Sequence, residues 1–354
     1  MDQWLIYGAN GYTGALLAAE AVKRGYRPLL GGRSIHKLHP LAERLGLEAV
    51  AFDLEPTQVA PLLRGRQIKL VLHAAGPFVY TSRPMLDACL ETGAHYLDLT
   101  GEISVFENTY AHDQAARDRG VVLISGIGFD IVPSSCLIQY VVDQVDQPTS
   151  VEVVVGVPNG ELDASAGTLK TNLEMIAEGF VVRRNGRLEP VNLGAGVKSV
   201  RLLDGRHTAL IVPWGDVIAA YHSTGIPNIT AYLTFPTGQA FALRYAGFVV
   251  QRLLRSAALR HWVARRIDHY VSGPSEHLRQ TGRSQLYAQV TGKNDQRAEA
   301  WLETAEAYQF TVLAALNAVE RIFQHHPSGA LTPAQAFGAD FVLEVAQTLR
   351  RDTL

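Results

Sequence analysis

The chain has 354 residues, 47% hydrophobic and 19% charged, with a formal net charge of −2. That balance excludes a disordered chain, gives no overall basic field for nucleic acid, and suits two domains with sizeable cores. Only two cysteines occur, Cys89 and Cys136, which excludes a disulfide framework and fits a reducing, cytoplasmic setting.

The opening residues lack the basic and apolar regions of a secretion signal. No run approaches the roughly 18 apolar residues of a membrane span; the nearest, Ala240 to Val250, contains Arg244. In chain order, WLIYG (Trp4 to Gly8) reads as a buried strand, and Gly14 to Arg24 as a helix. Strands follow at Pro28 to Leu30, Ala49 to Phe52, Ile68 to Gly76, His95 to Leu99 and Val121 to Ile124. Between them lie helical patterns near 39–45, 57–64, 84–92 and 106–119. Strands alternating with helices over short connections predict a parallel sheet covered on both faces, a doubly wound α/β fold.

The pattern changes after about residue 150. Val151 to Val157 reads as a strand and Thr168 to Phe180 as a helix. Strand-like runs follow at 197–203, 208–212, 217–222 and 229–235, then a long helix over 238–269, strands at 284–291 and 298–304, and helices at 308–323 and 334–350. Consecutive strands with a few helices predict an α+β second domain. The boundary falls within 131–150.

Gly8-Ala-Asn10-Gly11-Tyr12-Thr13-Gly14 lies between the first strand and the first helix. At that turn Gly8 permits the tight bend, Gly11 admits a pyrophosphate close to backbone, and Gly14 lets helix and strand pack. The N–H groups opening the helix face the anion. The second strand ends at Gly32-Arg33-Ser34, with Lys37 one turn on and no acid between Gly25 and Glu43. An NAD site ordinarily places an acid there for the ribose hydroxyls. Arg33, Ser34 and Lys37 instead suit a 2′-phosphate, so NADP(H) is the expected cofactor. Asp53 either accepts from the adenine amino group or caps the next helix. Ala75, Gly76, Pro77 and Phe78 follow the fourth strand, where small residues let backbone lie against the ribose and nicotinamide.

Ligands of doubly wound sheets bind beyond the carboxyl ends of the strands. That edge collects Tyr80, Asp98, Thr100, Glu102 and Asp130. A reductase needs a proton as well as a hydride. Glu102, Tyr80 and Asp130 are the candidate catalytic groups, each also explicable as a cap or a loop tie. No Tyr-x-x-x-Lys and no GxSxG occur, and His325-His326 lacks zinc-helix spacing, so no metal is expected. Cys89 and Cys136 read as small buried residues. Residues 241–266 carry six arginines and no acid among apolar side chains. Such a stretch either meets a membrane surface or an acidic partner, or packs one face on the second domain. The second is the ordinary fate of an amphipathic helix.

GANGYTG, GGRSIHKL, HAAGPF, ACLETGAHYLDLTGE, GFDIVPSS and GALTPAQAFGADF together resemble the saccharopine dehydrogenase-like oxidoreductases, including the trans-acting enoyl reductases. The resemblance covers nearly all of 1–135 and returns at about 329–341. It implies an NADP-binding Rossmann domain over 1–131, completed by a C-terminal helix within 329–354, and an inserted α+β substrate or dimerisation domain over 132–328. It further implies NADP(H)-dependent reduction of a carbonyl or enoyl group on a small-molecule, hydrophobic or acyl-carrier-bound substrate, with homodimerisation through the second sheet open. The competing expectation is a non-catalytic NADP(H)-binding sensor or scaffold, because a dinucleotide fold does not by itself make an enzyme.

Overall fold

A computed structural model describes residues 3–156, 164–271 and 273–354. Its first part runs β1 (Trp4–Tyr7), α1 (Tyr12–Lys23), β2 (Leu29–Gly32), α2 (Ile35–Leu45), β3 (Ala49–Ala51), α3 (Pro56–Gly65), β4 (Leu70–His73), α4 (Phe78–Thr92) and β5 (His95–Asp98). It continues through α5 (Ile103–Ala111), α6 (Asp113–Arg119), β6 (Val122–Ile124) and α7 (Val132–Val142). The second part contains β7 (Pro148–Gly156), α8 (Ala166–Glu178), β8 (Phe180–Arg184), β9 (Arg187–Val191), β10 (Lys198–Leu202), β11 (Gly205–Ile211), α9 (Asp216–Thr224) and β12 (Asn228–Phe235). Then come α10 (Thr237–Leu254), α11 (Ala257–Tyr270), α12 (Glu276–Thr281), β13 (Arg283–Gly292), β14 (Arg297–Ala305), α13 (Ala307–His325), β15 (Gly329–Ala330), α14 (Pro333–Phe337) and β16 (Leu349–Arg351).

The first sheet has seven strands in the order β15-β6-β5-β4-β1-β2-β3, all parallel. This is a doubly wound sheet, and its order reverses between β1 and β4, which opens a crevice at their carboxyl ends. Its strands read as continuous apolar runs because both faces are covered: every residue of β1, β2 and β4 is buried. Leu17, Ala18 and Ala21 of α1 fill one face with Ile6, Leu30 and Leu72. Val59 and Leu63 of α3, with Met85 and Cys89 of α4, fill the other.

The second sheet runs β10-β11-β12-β7-β13-β14-β16, with β8 and β9 attached through β12. Among the described residues, only the β12–β7 pairing within it is parallel. One face shares the apolar core with α7, α9 and α13, continuous with the first sheet's core. The other face carries Tyr232, Tyr287 and Trp301.

Several elements differ from the sequence expectation. Val217 to His222 is helical, not a strand: Gly215 precedes it, Gly225 ends it in the left-handed conformation, and residues 216–220 are buried against the core. A run apolar on all sides fits a buried helix as well as a strand. The long helix over 238–269 breaks at Arg255 and Ser256 into α10 and α11. The helix expected over 334–350, and with it the C-terminal helix of 329–354, is replaced. Gly338 stops α14, a single turn covers Phe341–Glu344, and Leu349–Arg351 pairs with β14. Thus Gly329–Ala330 extends the first sheet while the final residues join the second. The β8–β9 hairpin and α7 are additions to the expected elements. Val157, the expected end of β7, lies outside the described residues.

Candidate functional site

The carboxyl ends of β1, β2, β4, β5 and β6 converge on one edge. Gly8 sits at φ +89°, and a Cβ there would press on the Ala74–Ala75 backbone at 2.8 Å. A Cβ on Gly14 would run into the Gly8 carbonyl and Ala9. Both glycines therefore let the chain turn and α1 start hard against the sheet. Gly8 N–H donates to the Gly31 carbonyl (2.8 Å) and Gly11 N–H to the Gly8 carbonyl (2.9 Å). Gly11 caps α1 with no side-chain hydrogen bond, so the first-turn N–H groups of Tyr12 and Thr13 are not taken up by a capping side chain. Asn10 lies beside Gly32. These features fit a dinucleotide diphosphate at the helix start.

Arg33, Lys37 and Asp53 are exposed around the ends of β2 and β3, and Ser34 is half-buried as the N-cap of α2. Asp53 does not cap α3, whose N-cap is Glu55, which removes the capping alternative. Ala75 and Pro77 are half-buried, Gly76 is exposed and Phe78 is buried at the entry to α4. The hydroxyl of Thr81 donates to the Ala75 carbonyl (2.7 Å), tying this turn down.

The three candidate catalytic groups are held differently. Glu102 is 1% exposed, and its carboxylate accepts from the backbone N–H of Phe78 (2.9 Å) and of Val79. It caps α4 rather than standing free in the crevice. Burial pushes its carboxyl up to about 7, against the pull of those two donors. Tyr80 is 62% exposed and donates to Glu174 of α8 (3.1 Å). Asp130 lies beside Gly101 (Oδ2 3.3 Å from where a Cβ would sit), and burial pushes it up to about 6. Asp98 is a structural hub: it accepts from Thr100 N–H, Gly126 N–H (each 3.0 Å) and the Ser125 hydroxyl (2.8 Å).

Three residues that sequence reasoning did not single out join this edge. Tyr308, on the first turn of α13, sets its ring edge-on to Tyr12 of the glycine loop at 5.0 Å. Its hydroxyl accepts from Ser165 N–H (2.7 Å) and meets the Thr168 hydroxyl (2.7 Å), and it lies within the field of Asp130. Asp216, 2% exposed at the start of α9, bonds Ser134 and feels Asp130, and burial pushes it up to about 7. Its Oδ2 is buried without a hydrogen-bond partner among the described residues. His73 ends β4, fully buried between Tyr7 and Phe78, where burial holds it neutral with a pKa lowered to about 3. None carries a motif; tertiary packing alone brings Tyr308 and Asp216 near Asp130. By contrast Cys89 and Cys136 are both buried. Burial raises both thiols, Cys136 to about 12, which leaves them inert. Among the described residues, no three His, Cys, Asp or Glu side chains group to hold a metal ion.

Second-domain elements close over this edge. Thr171 of α8 lies 3.2 Å from where a Gly76 Cβ would sit. The Thr311 hydroxyl of α13 accepts from Phe129 N–H (3.0 Å). Tyr12 donates to the Pro274 carbonyl (2.6 Å) and accepts from Arg279 (2.7 Å).

A doubly wound sheet with this glycine turn defines a nicotinamide dinucleotide-binding domain. Residues 4–124 match the family model described as saccharopine dehydrogenase NADP binding domain. The mouse saccharopine dehydrogenase-like oxidoreductase is 27% identical over 179 residues, 44% of this chain and 41% of that protein. The trans-acting enoyl reductase of Mycobacterium tuberculosis (strain H37Rv) is 34% identical over 140 residues, 37% of this chain and 33% of that protein. These matches thus span less than half the length of either relative. Among solved structures, apo saccharopine dehydrogenase (L-Glu forming) from Saccharomyces cerevisiae superposes with a TM-score of 0.66 at 10% identity, covering 100% of both chains. Homospermidine synthase from Legionella pneumophila, in complex with NAD, gives 0.61 at 10% identity over 99% of this chain and 91% of that one. Both share the fold of the whole chain, second domain included.

Proposed function

We propose that the chain is an NADP(H)-dependent reductase acting on a carbonyl or enoyl group of a hydrophobic or carrier-bound substrate. When bound, the dinucleotide supplies a hydride. The backbone of Gly8, Asn10, Gly11, Tyr12, Thr13 and Gly14 would hold its diphosphate. Arg33, Ser34 and Lys37 would hold the 2′-phosphate, and Asp53 the adenine amino group. Ala75, Gly76, Pro77 and Phe78 would border the nicotinamide end. Glu102 acts at one remove, by fixing the Phe78 and Val79 N–H groups and with them that border.

The observation that carries the reading is Tyr308. Its ring, from the second domain, stands edge-on to Tyr12 of the glycine loop, and its hydroxyl is held by Ser165 and Thr168, with Asp130 nearby. That hydroxyl would supply the proton that a reduction needs beside the hydride. The carrier-bound class rests on the trans-acting enoyl reductases among the relatives. We further propose that residues 1–131 with the 329–330 strand form the cofactor domain and the remainder the substrate side, in a reducing cytoplasm.

The test is NADPH oxidation by the full chain against a panel of enoyl and keto thioesters, alongside NADPH binding by fluorescence. Turnover with an acceptor that drops at least about a hundred-fold in Tyr308→Phe, at unchanged NADPH affinity, supports the reading. Tight NADPH binding with no acceptor reduced overturns it in favour of a non-catalytic sensor or scaffold.

A further inference from the structure

Helices α10 and α11 are fastened to the protein along one narrow edge. Of the eighteen residues of α10 only Ala240, Gly247, Gln251 and Leu254 are buried, and among the described side chains of α11 none is. The attachment is nonetheless close: a Cβ on Gly247 would strike the Leu193 carbonyl, and Gln251 accepts from Leu193 N–H (3.3 Å). The exposed remainder is therefore a fixed surface, not a loosely docked helix.

That surface is strongly apolar. Tyr245 is 79% exposed, Phe248 59%, Leu253 57% and Trp262 52%, with Phe241 and Val249 beside them. At 3.6 residues per turn, the buried residues of α10 occupy one arc. Phe241, Tyr245, Phe248, Val249, Val250 and Leu253 sweep round the outside, with Arg244 and Arg255 along one border of that sweep and Arg252 between Phe241 and Tyr245. Arg265 and Arg266 extend the basic border on α11, all five being exposed. No acid occurs between Thr237 and Ile267. Arg260 alone turns inward, pairing with Glu174 at 3.0 Å.

We infer that α10 and α11 form a peripheral docking surface for an anionic lipid bilayer. Guanidinium groups bordering a row of protruding aromatic and aliphatic side chains match the interface of such a bilayer. There phosphates meet arginine, and Phe, Tyr and Trp settle at headgroup depth. A second copy of the chain fits worse, since its own helices bring arginines and no acid between Thr237 and Ile267 to meet those of the first. An acidic protein would meet the arginines but leave side chains that project into solvent, rather than line a groove, without a receiving pocket. Among the described residues no helix is long and apolar enough to cross a membrane, so the contact inferred is with one leaflet's surface. The inference stands apart from the proposed reductase chemistry. It bears on that chemistry only through α8, whose Glu174 joins Arg260 at the docking surface to Tyr80 at the site.

The test is co-sedimentation of the full chain with vesicles of phosphatidylcholine alone or with about 30% phosphatidylserine, at about 0.15 M and about 1 M salt. The expected result is binding to the anionic vesicles that weakens several-fold at high salt. Triple substitution Arg244→Gln, Arg252→Gln, Arg255→Gln should weaken it about a hundred-fold, at about five-fold per guanidinium. Phe248→Ser with Leu253→Ser should lose at least about ten-fold at low salt. Thermal midpoints and circular dichroism establish that both variants fold. Equal binding to neutral vesicles, absence of binding to anionic ones, or indifference to either variant overturns the inference. So does a dimer in light scattering that Phe248→Ser with Leu253→Ser dissolves, which assigns the face to a second copy. Capture of an acidic carrier protein without vesicle binding overturns it likewise.

Discussion

Asp216→Asn should stabilise the protein most at alkaline pH and by only about 1 kcal/mol near pH 5. The Asp216 carboxyl is 2% exposed, has one oxygen without a partner among the described residues and is pushed up from 3.8 to about 7 by burial. A raised carboxyl pKa means that the folded state binds the proton more tightly than the unfolded chain. The stability this confers is fully present below the unfolded value and is lost as pH rises through the folded one. At 1.36 kcal/mol per unit, a shift of about three units places the cost of ionised Asp216 at about 4 kcal/mol above pH 8. Of this, about 3 kcal/mol accrues between about pH 5 and pH 8. Asparagine keeps the shape and a hydrogen bond to Ser134 but has no charge to bury. Urea unfolding at about pH 5 and about pH 8 reads the effect directly. The wild type should lose stability over this interval relative to Asp216→Asn, with the two curves converging on the acid side. Parallel pH dependences, or an asparagine variant that is less stable at about pH 8, would refute the assignment of a buried, reluctantly ionised carboxylate.

Gly14→Ala places a methyl group against the Gly8 carbonyl, so it should destabilise by about 1–3 kcal/mol and weaken NADPH binding; a thermal midpoint unchanged from wild type would contradict the close packing. Arg33→Ala should raise the Kd for NADPH about ten- to a hundred-fold, the scale of a lost charge-assisted bond, while NADH changes little. Equal losses for both cofactors would sink the 2′-phosphate role. Glu102→Gln keeps one acceptor oxygen but no longer accepts with both from Phe78 and Val79, so its loss should appear in cofactor affinity and stability. A large fall in kcat at unchanged NADPH affinity would instead make Glu102 the proton donor.

The first domain was legible because its physics is local. Strands buried on both faces must be continuous apolar runs, and the glycines at 8, 11 and 14 sit where strand gives way to helix. The absence of an acid after β2 was legible for the same reason, since strand ends are where a sheet of this kind meets its ligand. The site proper was legible only halfway. Glu102 and Asp130 were placed on the right edge, but a strand-end acid is indistinguishable in sequence from a cap. Glu102 became one only when the turn after β4 brought Phe78 and Val79 N–H groups onto it.

The second domain hid more, because non-local contacts decide its elements. Leu349–Arg351 would pass for a helix end by propensity, yet it pairs with Trp301–Glu303 across 46 or more residues of chain. Tyr308 and Asp216 belong to elements that lie far apart in sequence from Asp130, and no spacing rule connects them. The same blindness applied to α10. Its alternation of apolar and basic residues predicts an amphipathic helix, but not which face is covered. Gly247 and Gln251 answer that, because only a glycine admits the Leu193 carbonyl so closely and only a polar side chain meets the Leu193 N–H. Ala240, Gly247 and Gln251 of α10, with Leu254, thus face the protein, and its aromatic residues face outward. An outward face that carries the helix's aromatic residues separates a docking surface from a core helix.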